Sequence, residues 1–216
     1  ALVGVDADAG ILDAALRAVE SRQFHHAIDT LGPHADELDD KGLVTLALAL
    51  ESIGRQADAI DLLKKAQSKG TDPLGVLAGR LKRRWLVEQR RKDAEQASAL
   101  YHEGLAQAEA KGDASQAYYH AINCAFMALA FEGNMTACRD YASRALTYCA
   151  SRSPGIWRYA TEGEAHIYLG DHTAVRDAYA RALAFGPMPQ QIASMYQQAF
   201  RAADLMGEEA LAVLGG

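Results

Sequence analysis

Two stretches of this chain, far apart in sequence, can be laid over one another. In the first, Leu43, Leu46, Ala47 and Leu50 lead to Gly54 and then to Ala59 and Leu63. In the second, Tyr159, Gly163 and His166 lead to Gly170-Asp171, then to Val175, Tyr179 and Ala182, and end at Pro187. Apolar residues three and four apart mark one face of a helix, and a glycine between two such faces marks a reversal of direction. Each stretch therefore reads as a pair of antiparallel helices, with small residues where the helices cross and larger side chains filling the gaps between neighbours.

Weaker copies complete the row. Leu12 to Val19 lead to Ala27 and Leu31. Leu74, Leu77, Ala78 and Leu81 lead to Ala97 and Tyr101, with extra residues assigned to the turn. Ile122, Ala125 and Leu129 lead through Gly133 to Cys138 and Ala142, and Tyr196, Ala199, Phe200 and Ala203 lead through Gly207 to a short end at 210–214. Alanine makes up about a fifth of the 216 residues and β-branched residues are few, which favours helix and disfavours strand. All five prolines, Pro33, Pro73, Pro154, Pro187 and Pro189, fall between the periodic segments, where proline can open or follow a helix. The spacing follows the tetratricopeptide pattern, a two-helix unit of roughly 34 residues. The expected fold is all-α, a tetratricopeptide-like α-solenoid of about five to six antiparallel helix pairs. Helices are expected at 7–20, 23–31, 41–53, 56–69, 73–91, 94–111, 114–132, 135–151, 155–169, 172–185 and 189–206, with 208–214 as a shortened last helix. The chain is read as one helical-repeat domain over 1–216: general pairs at 1–72, a second region at 73–207, and a truncated end at 208–216.

Charge and composition exclude several classes of function. The net charge of −6 argues against a protein that coats nucleic acid, and the 50% apolar and 23% charged composition is that of a globular chain with no membrane partner. Cys124, Cys138 and Cys149 are odd in number and lie in apolar periodic segments, so a disulfide framework is not expected, and with no signal segment the expected location is cytoplasmic. The start at Ala1 without methionine and the end at Gly215-Gly216 read as one part of a longer protein. No P-loop, G-x-S-x-G or catalytic cysteine signature is present, so the chain is not expected to be an enzyme or to hold a cofactor. Glu162 and His166 share a helix face, with His25, His26, His172 and Asp171 elsewhere, but no third ligand is placed with them and no metal is expected.

A more specific likeness rests on short pieces in fixed order: Gly79-Arg80-Leu81-Lys82; Tyr101 with Gly104; Tyr119-His120-Ala121-Ile122-Asn123-Cys124-Ala125; and Trp157 with Ala160-Thr161, Glu164-Ala165 and Leu169-Gly170-Asp171. Over 74–207 these resemble the TRAFs-binding domain of the mitogen-activated protein kinase kinase kinases, a helical-repeat region with bacterial relatives. Ala121 stands where that pattern has glycine, and no kinase segment is present. The resemblance implies a regulatory, protein-binding module beside a signalling effector, without implying that eukaryotic adaptors are its ligand.

Binding candidates follow from the residues themselves. Arg80, Lys82, Arg83, Arg84, Arg90, Arg91 and Lys92 are opposed only by Glu88. At about 100° per residue, Arg80, Arg84 and Arg91 form a flank while Arg83 points outward. Guanidinium groups make forked bonds to carboxylate or phosphate, so the flank suits an acidic partner or a phosphorylated small ligand. The alternative is a solvated face with Arg84 paired to Glu88 one turn on. Asn123 lies in an otherwise apolar run and is either a peptide-binding amide or one bonded to a neighbouring helix. His120 beside it, with Trp157 and Glu164, completes the expected binding set. The expected function is a non-catalytic scaffold that binds a protein segment in the concave face of the array, the alternative a sensor of a nucleotide or phosphorylated ligand. A weak homodimer through the C-terminal helices is also expected, because a shortened last helix cannot cover a whole repeat face.

Overall fold

A computed structural model describes residues 4–66 and 71–215. Every element of regular structure among the described residues is helical. The helices are α1 Gly4–Glu20, α2 Phe24–Leu31, α3 Asp40–Ser52, α4 Gln56–Ala66, α5 Thr71–Glu88, α6 Arg91–Lys111, α7 Ala114–Ala130, α8 Met135–Ala150, α9 Ile156–Leu169, α10 His172–Leu183, α11 Pro189–Met206 and α12 Glu208–Leu214. A single 3₁₀ turn, Gly32–His34, follows α2. The architecture is the tetratricopeptide-like, all-α one expected, with neighbouring helices packed as successive pairs. The end of the expected helix 56–69 lies outside the described residues beyond Ala66.

One expectation is corrected. The turn expected at 92–93 falls three residues earlier: α5 and α6 run to 18 and 21 residues, and only Gln89 and Arg90 separate them. Gln89 adopts a left-handed backbone (φ 55°), which turns the chain back within those two residues. Arg91 therefore opens α6 and does not continue the arginine face of α5.

Between later helices a two-residue signal does two jobs. Gly112, Gly133 and Gly170 each take positive φ, ending one helix in the conformation glycine adopts without a Cβ penalty. The next residue caps the following helix: Asp113 accepts from the Ser115 backbone N–H (3.0 Å), Asn134 from Ala137 (3.0 Å) and Asp171 from Ala174 (3.1 Å). At 112–113 and 170–171 the Gly-Asp pair alone separates two helices, while Phe131 to Asn134 separate α7 from α8.

Contacts divide the chain into two compact units, Ala1–Leu100 and Tyr101–Gly216, and the dividing line falls inside α6. In the first, Leu43, Leu46 and Ala47 of α3, Leu63 of α4, and Leu74, Leu77 and Leu81 of α5 are buried. In the second, α7 pairs with α8, α9 with α10 and α11 with α12, while α7, α9 and α11 lie side by side and α11 also touches α7. α7 is the centre of this unit, with every residue from His120 to Ala128 buried.

Candidate functional site

The arginines of α5 all carry carboxylate partners. Glu51, near the end of α3, binds the guanidinium of Arg80 through one oxygen and that of Arg83 through the other, 3.0 Å from Arg83 Nη2. Two positive charges converge on one carboxylate and tie α5 to α3. Arg84 does not pair with Glu88; it forks onto Asp93 at the start of α6, with Nε to Oδ2 and Nη2 to Oδ1 both at 2.6 Å. Glu88 instead takes Arg90, 2.6 Å away. Arg91 bonds Glu95 one turn on (2.9 Å) and remains mostly exposed.

The Arg84–Asp93 fork is the strongest of these by its physics. Asp93 is buried while Arg84 reaches solvent, so the carboxylate leans chiefly on this one fork, with Arg90 and Lys64 adding to it from farther off. The hydrogen bonds from Arg84, against the opposing effect of burial, hold the Asp93 carboxyl below the usual aspartate range, and Arg84 is raised in turn. The exposed pairs, Arg90–Glu88 and Arg91–Glu95, contribute little by comparison.

The remaining four expected residues lie in the second unit, and three of them are interior. His120 is fully buried, with its ring edge-on to Tyr101 and Tyr119 at 6.1 and 5.2 Å between centroids. Asn123 is buried and donates from Nδ2 to the Tyr119 carbonyl one turn back (2.8 Å). This amide bond runs within α7. Glu164 is buried on α9 and accepts from the Tyr168 hydroxyl (3.0 Å). Its negative charge adds to burial in raising the thiol of Cys138 on α8 and the phenol of Tyr179 on α10. Only Trp157, at the first turn of α9, is exposed (47%), and on α7 the Tyr119 ring is also exposed (37%).

Sequence reasoning missed the acidic partners Glu51 and Asp93, and a third polar cluster. Glu109 of α6 accepts from the Arg144 guanidinium and the Tyr148 hydroxyl of α8, Arg144 lies 5.2 Å over the Tyr141 ring, and His102 meets that ring edge-on at 5.4 Å. Tyr141, Arg144 and Tyr148 recur at helical spacing, and so do His102 and Glu109. That double periodicity is the signal that could have paired the two helices.

No group of three metal-ligating side chains is clustered among the described residues, and Glu162 is held by Arg158 Nε at 2.8 Å. No helix among them is long and apolar enough to cross a membrane. All three cysteines are unpaired and buried, and burial pushes each thiol up to about 12.

No curated protein matches the sequence. Residues 23–128, from the start of α2 to near the end of α7, match the family described as TPR-S, Tetratricopeptide Repeats-Sensor. With its paired helices, this makes the chain a tetratricopeptide-like helical-repeat protein, similar over that stretch to the sensor family.

Proposed function

We propose that this chain is a non-catalytic regulatory scaffold, part of a larger signalling protein, that binds a protein segment on the first helices α7 and α9. The observation that carries this reading is the exposure of Tyr119 and Trp157 on α7 and α9, two helices whose other large side chains are mostly withdrawn from solvent. Exposed aromatic rings on a rigid helical support are the usual anchors of protein interfaces. His120, edge-on to the Tyr119 ring, and Asn123, bonded to the Tyr119 carbonyl, pack behind that anchor. The likeness over 74–207 to the TRAFs-binding domain supports a role beside an effector. A peptide array probed with the full chain and with Trp157→Ala tests it. Retained peptides that release the variant are the expected result; no retention, or equal retention of the variant, overturns the reading.

A second reading is favoured by the family match, whose span includes the arginine helix α5 and whose description names a sensor. In it, a phosphorylated small molecule takes Arg84 and Arg83 from Asp93 and Glu51, exchanging carboxylate for phosphate at the same guanidinium fork. Because those bonds tie α5 to α6 and to α3, the exchange loosens the first unit as the ligand binds. A ligand that prefers the folded chain raises the melting temperature with its concentration, so a thermal-shift panel of nucleotides and sugar phosphates separates the two readings.

A further inference from the structure

The longest run of the sequence without Asp, Glu, Lys, Arg or His is the nineteen residues from Ala182 to Phe200, between Arg181 and Arg201. Among the described residues, the same region holds most of the large apolar side chains left in solvent. Met188, Ile192, Tyr196 and Phe200 are all exposed, Tyr196 at 58%, and a spacing of four places the last three on one ridge of α11, with Met188 at its N-cap. The rings of Tyr196 and Phe200 stack along that ridge, 6.1 Å between centroids and 28° apart.

The ridge is the uncovered half of a wide apolar arc. At about 100° per residue, the buried Met195, Ala199, Ala202 and Ala203 span about 100° of α11, and Tyr196 and Phe200 continue the arc for about another 60° on one flank. α9 and α12 pack on α11, but α12 is only seven residues long, and it buries Ala210 and Val213 without reaching the flank. A surface helix with an apolar arc wider than its neighbours cover presents the remainder to a partner.

We infer that this ridge is the self-association surface of the protein, the occupant being the same ridge of a second copy. Two observations select a second copy. The chain carries a net charge of −6, so two copies repel over most of their surfaces, and the four apolar side chains of the ridge, none of them charged, are where they meet at least cost. Asp204 follows one turn beyond Phe200, and the antiparallel pairing sets it against Met188 and away from its own copy. The ridge is also close to symmetric about Tyr196: antiparallel pairing around a two-fold axis sets Tyr196 against Tyr196 and Ile192 against Phe200, an isologous contact in which ridges of spacing four interdigitate. Gln190, Ser194 and Gln197 lie exposed on the other side of α11, outside the contact. This inference stands apart from the binding reading of α7 and α9, and its failure leaves that reading intact.

Light scattering and sedimentation of the full chain over a wide concentration range test it. The wild type shows a reversible monomer–dimer equilibrium. Tyr196→Glu weakens it at least tenfold while far-UV circular dichroism and melting temperature at low concentration stay as in the wild type, since the ring is more exposed than buried. Ser194→Glu, on the polar side of the same helix, leaves the equilibrium unchanged. A Tyr196→Cys chain joins to itself through a short bifunctional thiol reagent, and the three buried native cysteines give no background. A wild type that remains monomeric at the highest concentration, or a dimer that Tyr196→Glu leaves intact, overturns the proposal.

Discussion

The imidazole of His120 lies where a side chain at position 104 would be: a Cβ on Gly104 would come within 2.1 Å of His120 Cε1 and 2.5 Å of both ring nitrogens. The ring is thus pressed flat onto the α6 backbone, with Tyr101 and Tyr119 edge-on around it. Glycine at 104 is required by this close approach and not by any special backbone angle. Tyr101, Gly104, Tyr119 and His120 were all in the pieces that carry the resemblance to the TRAFs-binding domain, and in the structure they are one packed knot.

Gly104→Ala must therefore displace the ring or part the helices, and overpacking of this kind costs about 1–3 kcal/mol. His120→Ala leaves a cavity and is also destabilising. The combination Gly104→Ala with His120→Ala is expected to be more stable than the sum of the two predicts, because the new methyl enters the vacated space. Urea unfolding of the four chains measures this coupling. Additive losses would mean that the two positions do not interact.

A parallel contact in α9 and α10 shows what the sequence made legible. A Cβ on Gly163 would fall 2.7 Å from the Tyr179 ring, so the small residue and the aromatic meet where the two helices cross. Both positions belong to the repeating pattern, and local periodicity defined them because each helix carries its own apolar face. The salt links were not legible for the opposite reason. Glu51 and Arg80 lie on different helices, and which charged residues meet depends on how far one helix slides along the other, a quantity that no periodicity records. Arg84 shows the same limit at short range: Glu88 is the neighbour by helical arithmetic, but the left-handed turn at Gln89 brings Asp93 within fork geometry. The expected binding set places His120 and Glu164 with Asn123 and Trp157. The structure places both in the interior: the His120 ring packs on Gly104, and Glu164 accepts from the Tyr168 hydroxyl.

Asp93→Asn is expected to destabilise the chain by about 1–3 kcal/mol at neutral pH, since it leaves the Arg84 fork without its charge partner beside a buried amide. The pH dependence has a definite sign. The Asp93 carboxyl is lowered in the folded chain, so its contribution is fully present above the unfolded value, about 3.9, and disappears as pH falls from there through the folded value. Stability measured against pH should show a steeper acid limb below about pH 4 in the wild type than in Asp93→Asn. Identical acid limbs would remove the fork from the account of stability. Arg84→Ala should cost a similar amount, in contrast to the near-neutral outcome expected of a purely solvated arginine face.

The cysteines should be inert in the native chain. Burial pushes all three thiols up to about 12, and thiolate is the reactive form, so a water-soluble disulfide reagent at pH 8 should label none of them on the timescale on which free cysteine reacts. All three should react in concentrated denaturant. The labelling rate in native buffer then reports the opening of the second unit, and slowing of that rate by a candidate ligand would locate its effect there. Rapid labelling of Cys138 or Cys149 without denaturant would contradict the packing of α8 against α9.

The cluster at Glu109 should behave differently from the fork at Asp93, although both pair a carboxylate with arginine. Burial alone would raise the Glu109 carboxyl, but the bonds from Tyr148 and Arg144 outweigh it and hold the group below the usual glutamate range. Its contribution is therefore present above the unfolded value, about 4.3, and lost as pH falls through the folded one. Glu109 and Arg144 keep about a third of their side-chain surface in water, 35% and 36%, so solvent and salt screen the pair strongly. Glu109→Gln retains an acceptor for Tyr148 and removes only the charge, and the expected loss is below about 1 kcal/mol. Raising the salt concentration should shrink that loss further, whereas the loss from Asp93→Asn should persist because its carboxylate is buried. A double series of urea titrations, each variant at low and high salt, separates the cases; equal salt sensitivity of the two variants would mean that burial does not set the difference between the clusters.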